Sequence, residues 1–263
     1  MDYVLITGAG KGIGKEFAFN FASKGFNLVL VSLNGENLNR VKEEIFEEYK
    51  VDIKTLAVDL SKENGPESVY EFTKNNNLKV DLLINNAGFG DFGYFKDGDL
   101  NKFKRMIDLN DKALVSMCYL YIQDFIKNGY GHIVNISSIA GFLPGPYMAV
   151  YYASKAFVLN FSIALNDELK KDNIRVTTIC PGPIDSNFWN VAGVKMSSFK
   201  KKYFTRSIET LVKNAIENIE KNKVLYVDGF YNKSAAFLSR FVSKKMLASI
   251  TGKVNKKLNN SKI

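Results

Sequence analysis

The sequence predicts a doubly wound α/β fold, a seven-stranded, mostly parallel sheet with helices on both faces. Seven apolar runs of strand length alternate along the chain with amphipathic stretches of helix length. The runs are rich in Val, Ile and Leu without regular polar alternation, which is typical of strands buried on both faces. No repeat or low-complexity linker interrupts the 263 residues. We therefore expect one dinucleotide-binding and catalytic domain over 1–230, with 231–263 as its basic amphipathic C-terminal extension.

Each predicted element follows from one of these two patterns. Short apolar runs predict strands, in chain order, at Tyr3–Thr7, Asn27–Val31, Lys54–Val58, Val80–Asn85, His132–Ser137, Arg175–Cys180 and Val224–Val227. Amphipathic stretches between them predict helices near Gly12–Ser23, Glu36–Tyr49, Pro66–Asn75, Leu100–Lys127, Val150–Lys170 and Ile208–Glu220. The longest irregular stretch, Ser186–Thr205, lies just past the carboxyl end of a strand, a position that favours an active-site lid.

Composition limits the classes of protein and site. The chain is 46% hydrophobic and 24% charged, without an apolar run of about 18 residues, so we expect a cytoplasmic protein. Its two cysteines, Cys118 and Cys180, lie in apolar segments, which favours buried free thiols over a disulfide framework or a metal site. The single histidine, His132, excludes a mechanism that needs two, and we expect it at a strand edge facing solvent.

The net charge of +9 is concentrated at the C-terminal end. Eight basic residues and no acidic ones follow Asp228, and apolar residues interleave with them over 233–258. This spacing predicts an amphipathic helix with a basic face. A weak contact with an anionic membrane surface, a cover over the substrate cleft, a subunit contact and an ordinary solvated helix all fit it. Because no nucleic-acid motif accompanies the basic residues, we expect no nucleic-acid partner.

A glycine-rich loop, TGAGKGIG over Thr7–Gly14, joins the first strand to the first helix. Gly8, Gly12 and Gly14 permit a tight turn, close approach of the backbone to a phosphate and close helix packing. The helix N-terminus adds N–H donors and a positive dipole end for a pyrophosphate. The loop therefore predicts a dinucleotide site.

The loop resembles that of the short-chain dehydrogenases/reductases, a family of single-domain Rossmann oxidoreductases. Further motifs of that family occur in order: Asp59-Leu60, NNAG at Asn85–Gly88, Asn110, ISS at Ile136–Ser138, Tyr151-x-x-x-Lys155 and PGPIDS at Pro181–Ser186. The resemblance covers about residues 3–228 and implies a Rossmann-like fold and a nicotinamide cofactor. It also implies a homodimer or homotetramer formed through the long helices that carry Asn110 and Tyr151.

The pair Tyr151 and Lys155 provides a proton donor for carbonyl reduction, because a nearby ammonium and an oxidised nicotinamide favour the phenolate. Helix geometry leaves Tyr152 open as the donor, since both tyrosines nearly share a face with Lys155. The resemblance selects Tyr151. It also implies that Ser138 binds the substrate oxygen, with Ser137 as the alternative, and that Asn110 positions a water linking Lys155 to solvent. The predicted catalytic set is Asn110, Ser138, Tyr151 and Lys155.

The predicted cofactor site extends over several loops, and no metal is expected in it. It comprises Gly8, Lys11, Gly12, Ile13, Gly14, Ser32, Asp59, Leu60, Asn86, Ala87, Gly88, Tyr151, Lys155, Pro181 and Ile184. We favour NADP(H) over NAD(H), because Ser32 stands where NAD enzymes usually carry an acidic residue that would repel a 2′-phosphate. Lys11 matches a basic position of NADP-preferring relatives, whereas Leu33 replaces an arginine that many of them carry.

The expected reaction interconverts a ketone and a secondary alcohol. Aromatic crowding suggests a small-molecule carbonyl or alcohol substrate with a bulky apolar part, lined by Phe89, Phe92, Phe142, Tyr147, Met148, Phe188 and Trp189. A 3-oxoacyl or hydroxysteroid reductase is a narrower alternative. A dinucleotide sensor without turnover and a membrane-attached scaffold are rivals from other classes, and the complete Ser138, Tyr151 and Lys155 set argues against the sensor.

Overall fold

A computed structural model of the protein describes residues 2–184, 192–193 and 206–258. Its strands are β1 (Tyr3–Thr7), β2 (Asn27–Ser32), β3 (Ile53–Ala57), β4 (Val80–Asn85), β5 (Gly131–Ile136), β6 (Ile174–Cys180) and β7 (Leu225–Val227). They form a seven-stranded sheet in the order β3-β2-β1-β4-β5-β6-β7. All neighbouring pairs are parallel, so the predicted doubly wound fold is confirmed.

Helices cover both faces of this sheet. They are α1 (Gly12–Ser23), α2 (Gly35–Tyr49), α3 (Gly65–Asn75), α4 (Leu100–Ile107), α5 (Ala113–Asn128), α6 (Ala149–Glu168), α7 (Ile208–Glu220), α8 (Phe230–Leu238) and α9 (Lys244–Leu258). On one face Ile6 packs with Phe17, and on the other Leu5 packs with Tyr121. Because neighbouring residues of one strand are buried on opposite faces, the strand sequences are rich in apolar residues and do not alternate regularly with polar ones.

The predicted helix Leu100–Lys127 is not continuous. A π-helical turn, Asp108–Lys112, separates α4 from α5 and contains the buried Asn110. The side-chain amide of Asn110 bonds to the backbone of Phe89 outside the helix. Such single π turns occur often at functional sites, and their side-chain contacts are not visible in an amphipathic pattern.

The prediction for His132 is wrong. This residue lies within β5, paired with Leu82 on one side and Arg175 on the other, so it is not at an edge. Its ring is mostly buried, and Nε2 lies 2.8 Å from Thr177 Oγ1. The error arises because the strand begins at Gly131, which places His132 inside the hydrogen-bonded ladder.

The basic C-terminal stretch forms two helices, α8 and α9, rather than one. In α9, Leu247, Thr251 and Asn255 are buried at intervals of four residues, which docks the helix along one stripe. Among the helices that the structure describes, none is both long enough and apolar enough to cross a membrane.

Strand order reverses between β1 and β4, since β1 continues to β2 on one side and β4 to β5 on the other. In open parallel sheets a ligand crevice forms outside the carboxyl ends of the strands at this switch point. The glycine loop, the NNAG stretch and the ISS stretch all follow carboxyl ends of strands. The fold therefore gathers the predicted motifs at one edge.

Candidate active site

The glycine loop has the backbone shape that a phosphate needs. Gly8 and Gly12 have φ angles of 67° and 59°, in the left-handed region that favours glycine. A Cβ on Gly14 would lie 2.4 Å from the carbonyl oxygen of Gly8, whereas one on Gly12 would point into open space. Lys11 precedes α1 without capping it through its side chain, and Ile13 packs against the core. The α1 N-terminus thus fits a dinucleotide pyrophosphate.

Hydrogen bonds join this loop to the residues that follow β4. Thr7 Oγ1 accepts bonds from the backbone N–H groups of Asn86 and Ala87 at 2.9 and 3.0 Å. The Asn86 side chain in turn donates to the carbonyls of Thr7 and Gly8 at 2.9 and 3.3 Å. Sequence reasoning assigned Asn86 and Ala87 to the cofactor but gave Thr7 no role. The only feature of the sequence that could have indicated this role is the position of Thr7 directly before the first glycine of the loop.

Ser32 ends β2 beside the glycine loop, and its Oγ lies 3.2 Å from where a Cβ on Gly10 would stand. Asn37 borders the same point, with its own Cβ 3.2 Å away. Arg40 donates to the Asn37 side chain at 3.1 Å. The sequence analysis missed this arginine because it lies in α2 rather than directly after β2.

Asp59 and Leu60, two residues of the predicted cofactor site, follow β3. Leu60 is buried in the core of that face of the sheet. Asp59 Oδ1 accepts bonds from the backbone N–H and the hydroxyl of Ser61, at 3.0 and 2.6 Å. Arg105 lies within 3.8 Å of the other carboxylate oxygen. These contacts hold the turn after β3 in place, and the predicted contact of Asp59 and Leu60 with the cofactor stays a prediction.

The two candidate serines at the end of β5 point to different partners. Ser137 donates to the backbone carbonyl of Lys155 at 2.7 Å, which uses its hydroxyl in the packing of α6. Ser138 accepts from Ala140 N–H at 3.1 Å and lies 3.4 Å from the carbonyl of Pro181. Burial raises the pKa of Tyr151, and a hydrogen bond with Ser138 opposes that rise. Ser138 is thus the serine beside the tyrosine hydroxyl.

Lys155 is buried next to this pair. Its Nζ donates to the carbonyl of Ile136 at 2.8 Å and lies 6.0 Å from the centroid of the Tyr151 ring. Burial lowers the pKa of Lys155 to about 8, and the charge of Asp111 opposes this shift. Burial dominates the pKa of Tyr151 and raises it. Lys155 is not among the groups that shift this pKa, so the lowering that the sequence predicts from Lys155 is not seen.

Asp111 is a charged group of the site that the sequence analysis missed. Burial raises the pKa of its carboxyl to about 6, and Lys155 opposes the rise. Its Oδ1 is buried and accepts no hydrogen bond from the part of the protein that the structure describes. Between about pH 6 and 8, Asp111 and Lys155 are therefore charged together.

Asn110 ties three segments of the site together. Its side chain accepts from the N–H of Phe89 at 3.1 Å and donates to the Phe89 carbonyl and to Ser154 Oγ, each at 3.0 Å. A Cβ on Gly88 would lie 3.0 Å from Asn110 Oδ1 and 3.5 Å from Lys155 Nζ, so glycine permits this close packing. The water-positioning role of Asn110 stays a prediction.

Tyr152, the alternative proton donor, faces away from these residues. Its hydroxyl donates to Asn255 of α9 at 3.3 Å. Its ring occupies the space beside Gly145, where an added Cβ would meet it at 2.3 Å. Tyr152 therefore acts in packing and holds the C-terminal helix, whereas Tyr151 lines the cleft.

A small cleft that opens to solvent lies beside Tyr151. Of the predicted lining residues, Tyr147 and Met148 border it, together with Phe95, Phe103 and Met106, which the sequence analysis missed. Phe92 is instead buried beneath Tyr147, with their ring centroids 6.1 Å apart, and Phe142 packs against the core around Leu159. Phe188, Trp189 and nearly all of the predicted lid lie outside the described residues.

The loop after β6 is the last segment that borders the site at the carboxyl ends of the strands. The carbonyl of Pro181 accepts from Ile139 N–H at 2.9 Å, and buried Ile184 forms a parallel bridge with Arg206. A Cβ on Gly182 would lie 2.0 Å from the Asn232 side chain, so α8 packs directly on this loop. The predicted contacts of Pro181 and Ile184 with the cofactor stay predictions.

Several known proteins are similar to this chain in sequence or in fold. A family profile described as short chain dehydrogenase matches residues 2–197. A very-long-chain 3-oxoacyl-CoA reductase from Bos taurus is 34% identical over 224 residues, 83% of this chain and 68% of that protein. A short-chain dehydrogenase from Sphingobium yanoikuyae in complex with NADPH is 30% identical with a TM-score of 0.83, over 92% of this chain and 94% of that one. The bulky-bulky ketone specific alcohol dehydrogenase from Comamonas testosteroni is 28% identical with a TM-score of 0.78, covering 92% of each chain.

Proposed function

The chain belongs to the short-chain dehydrogenase/reductase family of oxidoreductases, and on this premise we propose that it interconverts a ketone and a secondary alcohol with NADP(H). The observation that carries the proposal is the grouping of Ser138, Tyr151 and Lys155. They lie at the carboxyl-end edge of the sheet, where the glycine loop follows β1. A dinucleotide sensor needs the loop and has no use for a buried tyrosine beside a serine and an ammonium. We therefore favour the enzyme.

In the proposed reduction the carbonyl carbon gains a hydride and the carbonyl oxygen gains a proton. NADPH, when bound by the glycine loop, Asn86, Ala87 and Lys155, supplies the hydride. Tyr151 donates its hydroxyl proton to the oxygen as negative charge develops there. Ser138 donates a hydrogen bond to the same oxygen and stabilises that charge. Lys155 then stabilises the phenolate that Tyr151 leaves behind.

The preference for NADP(H) is proposed on the charges around Ser32. No carboxylate stands at the end of β2, and the hydroxyl of Ser32 can donate to a 2′-phosphate. Lys11 is exposed on the adjoining glycine loop. Arg40 donates a hydrogen bond to Asn37, whose side chain lies beside Gly10 of the same loop. Arg40 offers the cation that Leu33, itself 60% exposed, cannot supply.

We propose a substrate with a bulky apolar part, and favour a 3-oxoacyl thioester over a hydroxysteroid. The cleft beside Tyr151 is bordered mainly by aromatic and methionine side chains, which suit an acyl chain. The name of the Bos taurus relative specifies a 3-oxoacyl-CoA, and that of the Comamonas testosteroni enzyme specifies bulky-bulky ketones. Both names support an extended apolar substrate.

A homodimer or homotetramer in the cytoplasm completes the proposal. Four large side chains on α5 and α6 remain substantially exposed: Tyr119, Ile126, Phe157 and Ile163. These are the long helices next to the catalytic residues, through which members of the family commonly associate. Exposed apolar side chains on long helices are suited to an isologous contact.

The cofactor proposal is tested by fluorescence titration of the protein with NADPH and with NADH. We expect NADPH to bind at least about tenfold more tightly, a difference of about 1.4 kcal/mol. Ser32→Asp should reverse the order, because its carboxylate repels the 2′-phosphate and accepts from ribose hydroxyls. Ser68→Asp, which adds the same charge at an exposed position of α3, is the matched control. Tighter binding of NADH by the unaltered protein would overturn the NADP(H) proposal.

A further inference from the structure

The C-terminal helices α8 and α9 leave an unusual amount of apolar surface exposed. Eight large apolar side chains within 25 residues are between 48% and 88% exposed: Phe230, Tyr231, Phe237, Leu238, Phe241, Met246, Ile250 and Val254. Scattered single exposures are normal on soluble proteins, whereas a concentration of aromatic and aliphatic side chains marks an interaction surface. We call these eight residues the apolar patch.

Around α9, buried, exposed apolar and exposed basic side chains lie on different sides of the helix. Leu247, Thr251 and Asn255 form the buried stripe, and Met246, Ile250 and Val254, each one residue earlier, form the adjacent exposed stripe. Exposed lysines, Lys245, Lys253 and Lys256, lie on the other side of the exposed stripe. One edge of α9 is therefore docked on the protein. Its free surface is apolar next to the docked stripe and basic beyond it, and exposed Lys257 follows the apolar stripe at the C-terminal end of the helix.

The charge of this region has one sign. Within residues 229–263 there are eight basic residues and no Asp or Glu. A second copy of the chain docking through the same surface would place these like charges against each other, which disfavours an isologous contact. An amphipathic surface with aromatic and aliphatic residues beside lysines is the pattern that binds at the boundary of anionic lipids. The charge pattern therefore selects a lipid surface.

We propose that α8 and α9 form a docking surface for an anionic phospholipid bilayer. The apolar patch enters the boundary between headgroups and acyl chains, and Lys245, Lys253 and Lys256 pair with lipid phosphates and carboxylates. The protein binds on one leaflet and does not span the bilayer.

The docked stripe of α9 links this surface to the substrate cleft. Asn255 donates to the carbonyl of Pro146 at 2.9 Å and accepts from Tyr152 at 3.3 Å. Lys244 Nζ lies 3.4 Å from the carbonyl of Phe142. Because Pro146 and Tyr152 flank the cleft residues Tyr147 and Tyr151, docking brings the cleft close to the lipid surface.

The test is co-flotation of the full chain with vesicles of phosphatidylcholine alone or of phosphatidylcholine with phosphatidylserine. We expect binding to the anionic vesicles only, and weaker binding at high salt, because ions screen exposed charges. Each lysine near an anionic surface changes partitioning about fivefold, so Lys245→Glu/Lys253→Glu/Lys256→Glu should lose at least about 100-fold. Lys42→Glu/Lys213→Glu/Lys223→Glu makes the same change in charge at exposed positions on the main body and should bind as the unaltered protein does.

A second pair of variants tests the apolar contribution. Phe241→Ser removes a side chain that is 73% exposed in the patch and should weaken vesicle binding about tenfold. Phe46→Ser removes one that is 50% exposed on α2 and should leave binding unchanged. Far-UV circular dichroism and thermal melts check that each variant is folded.

Three results would overturn the proposal. One is failure of the unaltered protein to float with anionic vesicles. Another is an equal loss of binding in the variant with three substitutions in α9 and in the variant with three substitutions on the main body. That result would show that the loss depends on net charge and not on the C-terminal surface. The third is a change in sedimentation coefficient when Phe237→Ser/Phe241→Ser is compared with the unaltered protein, which would assign the patch to a second copy of the chain.

Discussion

Neutralising Asp111 should produce a protein that is more stable and catalytically weaker. Burial raises the pKa of this carboxyl from 3.8 to about 6, so its charge is unfavourable in the folded state above that range. A shift of about 2 units corresponds to about 3 kcal/mol, which partial exposure of Asp111 reduces to about 1–2 kcal/mol. Asp111→Asn removes the charge at nearly constant volume and should gain this amount in the free energy of unfolding at pH 7.

The sign of the pH dependence follows from the raised pKa. The folded state holds the Asp111 proton more tightly than the unfolded state, so the protein loses stability as pH rises from 3.8 through about 6. The gain of the Asp111→Asn variant should therefore be present at pH 7 and vanish near pH 4. Urea unfolding of both proteins at the two pH values measures it.

The catalytic effect of the same change acts on Lys155. Asp111 supports the ammonium, so its removal should lower the pKa of Lys155 below about 8. The alkaline limb of the pH profile for ketone reduction, which needs that ammonium, should move to lower pH. Asp108→Asn, in the same π turn, breaks only a 2.7 Å pair with exposed Lys112 and should change stability by less than about 1 kcal/mol. Loss of stability at pH 7 in Asp111→Asn, or an unmoved alkaline limb, would refute the reasoning.

Two further predictions concern the glycine loop and the buried histidine. Gly14→Ala should destabilise the protein by about 1–3 kcal/mol and weaken NADPH binding, because its Cβ would lie 2.4 Å from the Gly8 carbonyl. Thermal melts and cofactor titration measure both effects, and unchanged binding would show that the loop is not the cofactor site. Burial lowers the pKa of His132 to about 4, so stability should be complete above its ordinary pKa of 6.5 and fall as pH decreases towards 4. His132→Gln should flatten that dependence in urea unfolding, and an unchanged slope would contradict the assignment.

The sheet was predictable because its signal is local. Short runs rich in Val, Ile and Leu predicted all seven observed strands to within one residue at either end. The π turn at Asn110 was not predictable, since it depends on hydrogen bonds to Phe89, which is 21 residues away. His132 was misplaced for a related reason, because its burial is decided by pairing with strands on both sides.

The proposed catalytic residues were accessible from short motifs, whereas the residues around them were not. Tyr151 and Lys155 are four residues apart on one helix, and Ser138 follows a strand that the sequence predicts. Thr7 acquires its role from Asn86, 79 residues further on, and Asn255 from Pro146 at a separation of 109 residues. Asp111 looks like any polar helix residue until the fold brings it near Lys155. Long-range contacts of this kind leave no local pattern.

The central claim, that Tyr151 is the proton donor of a ketone reductase, is tested most directly by comparing Tyr151→Phe with Tyr152→Phe. Turnover with NADPH is measured on 3-oxoacyl thioesters and other ketones with a bulky apolar part, alongside NADPH binding. We predict that Tyr151→Phe still binds NADPH but reduces the ketone at least about 100-fold more slowly, because general acid catalysis contributes about that much or more. Tyr152→Phe, which loses only a bond to Asn255, should keep its turnover. Normal turnover in Tyr151→Phe, or its loss in Tyr152→Phe alone, would contradict the claim.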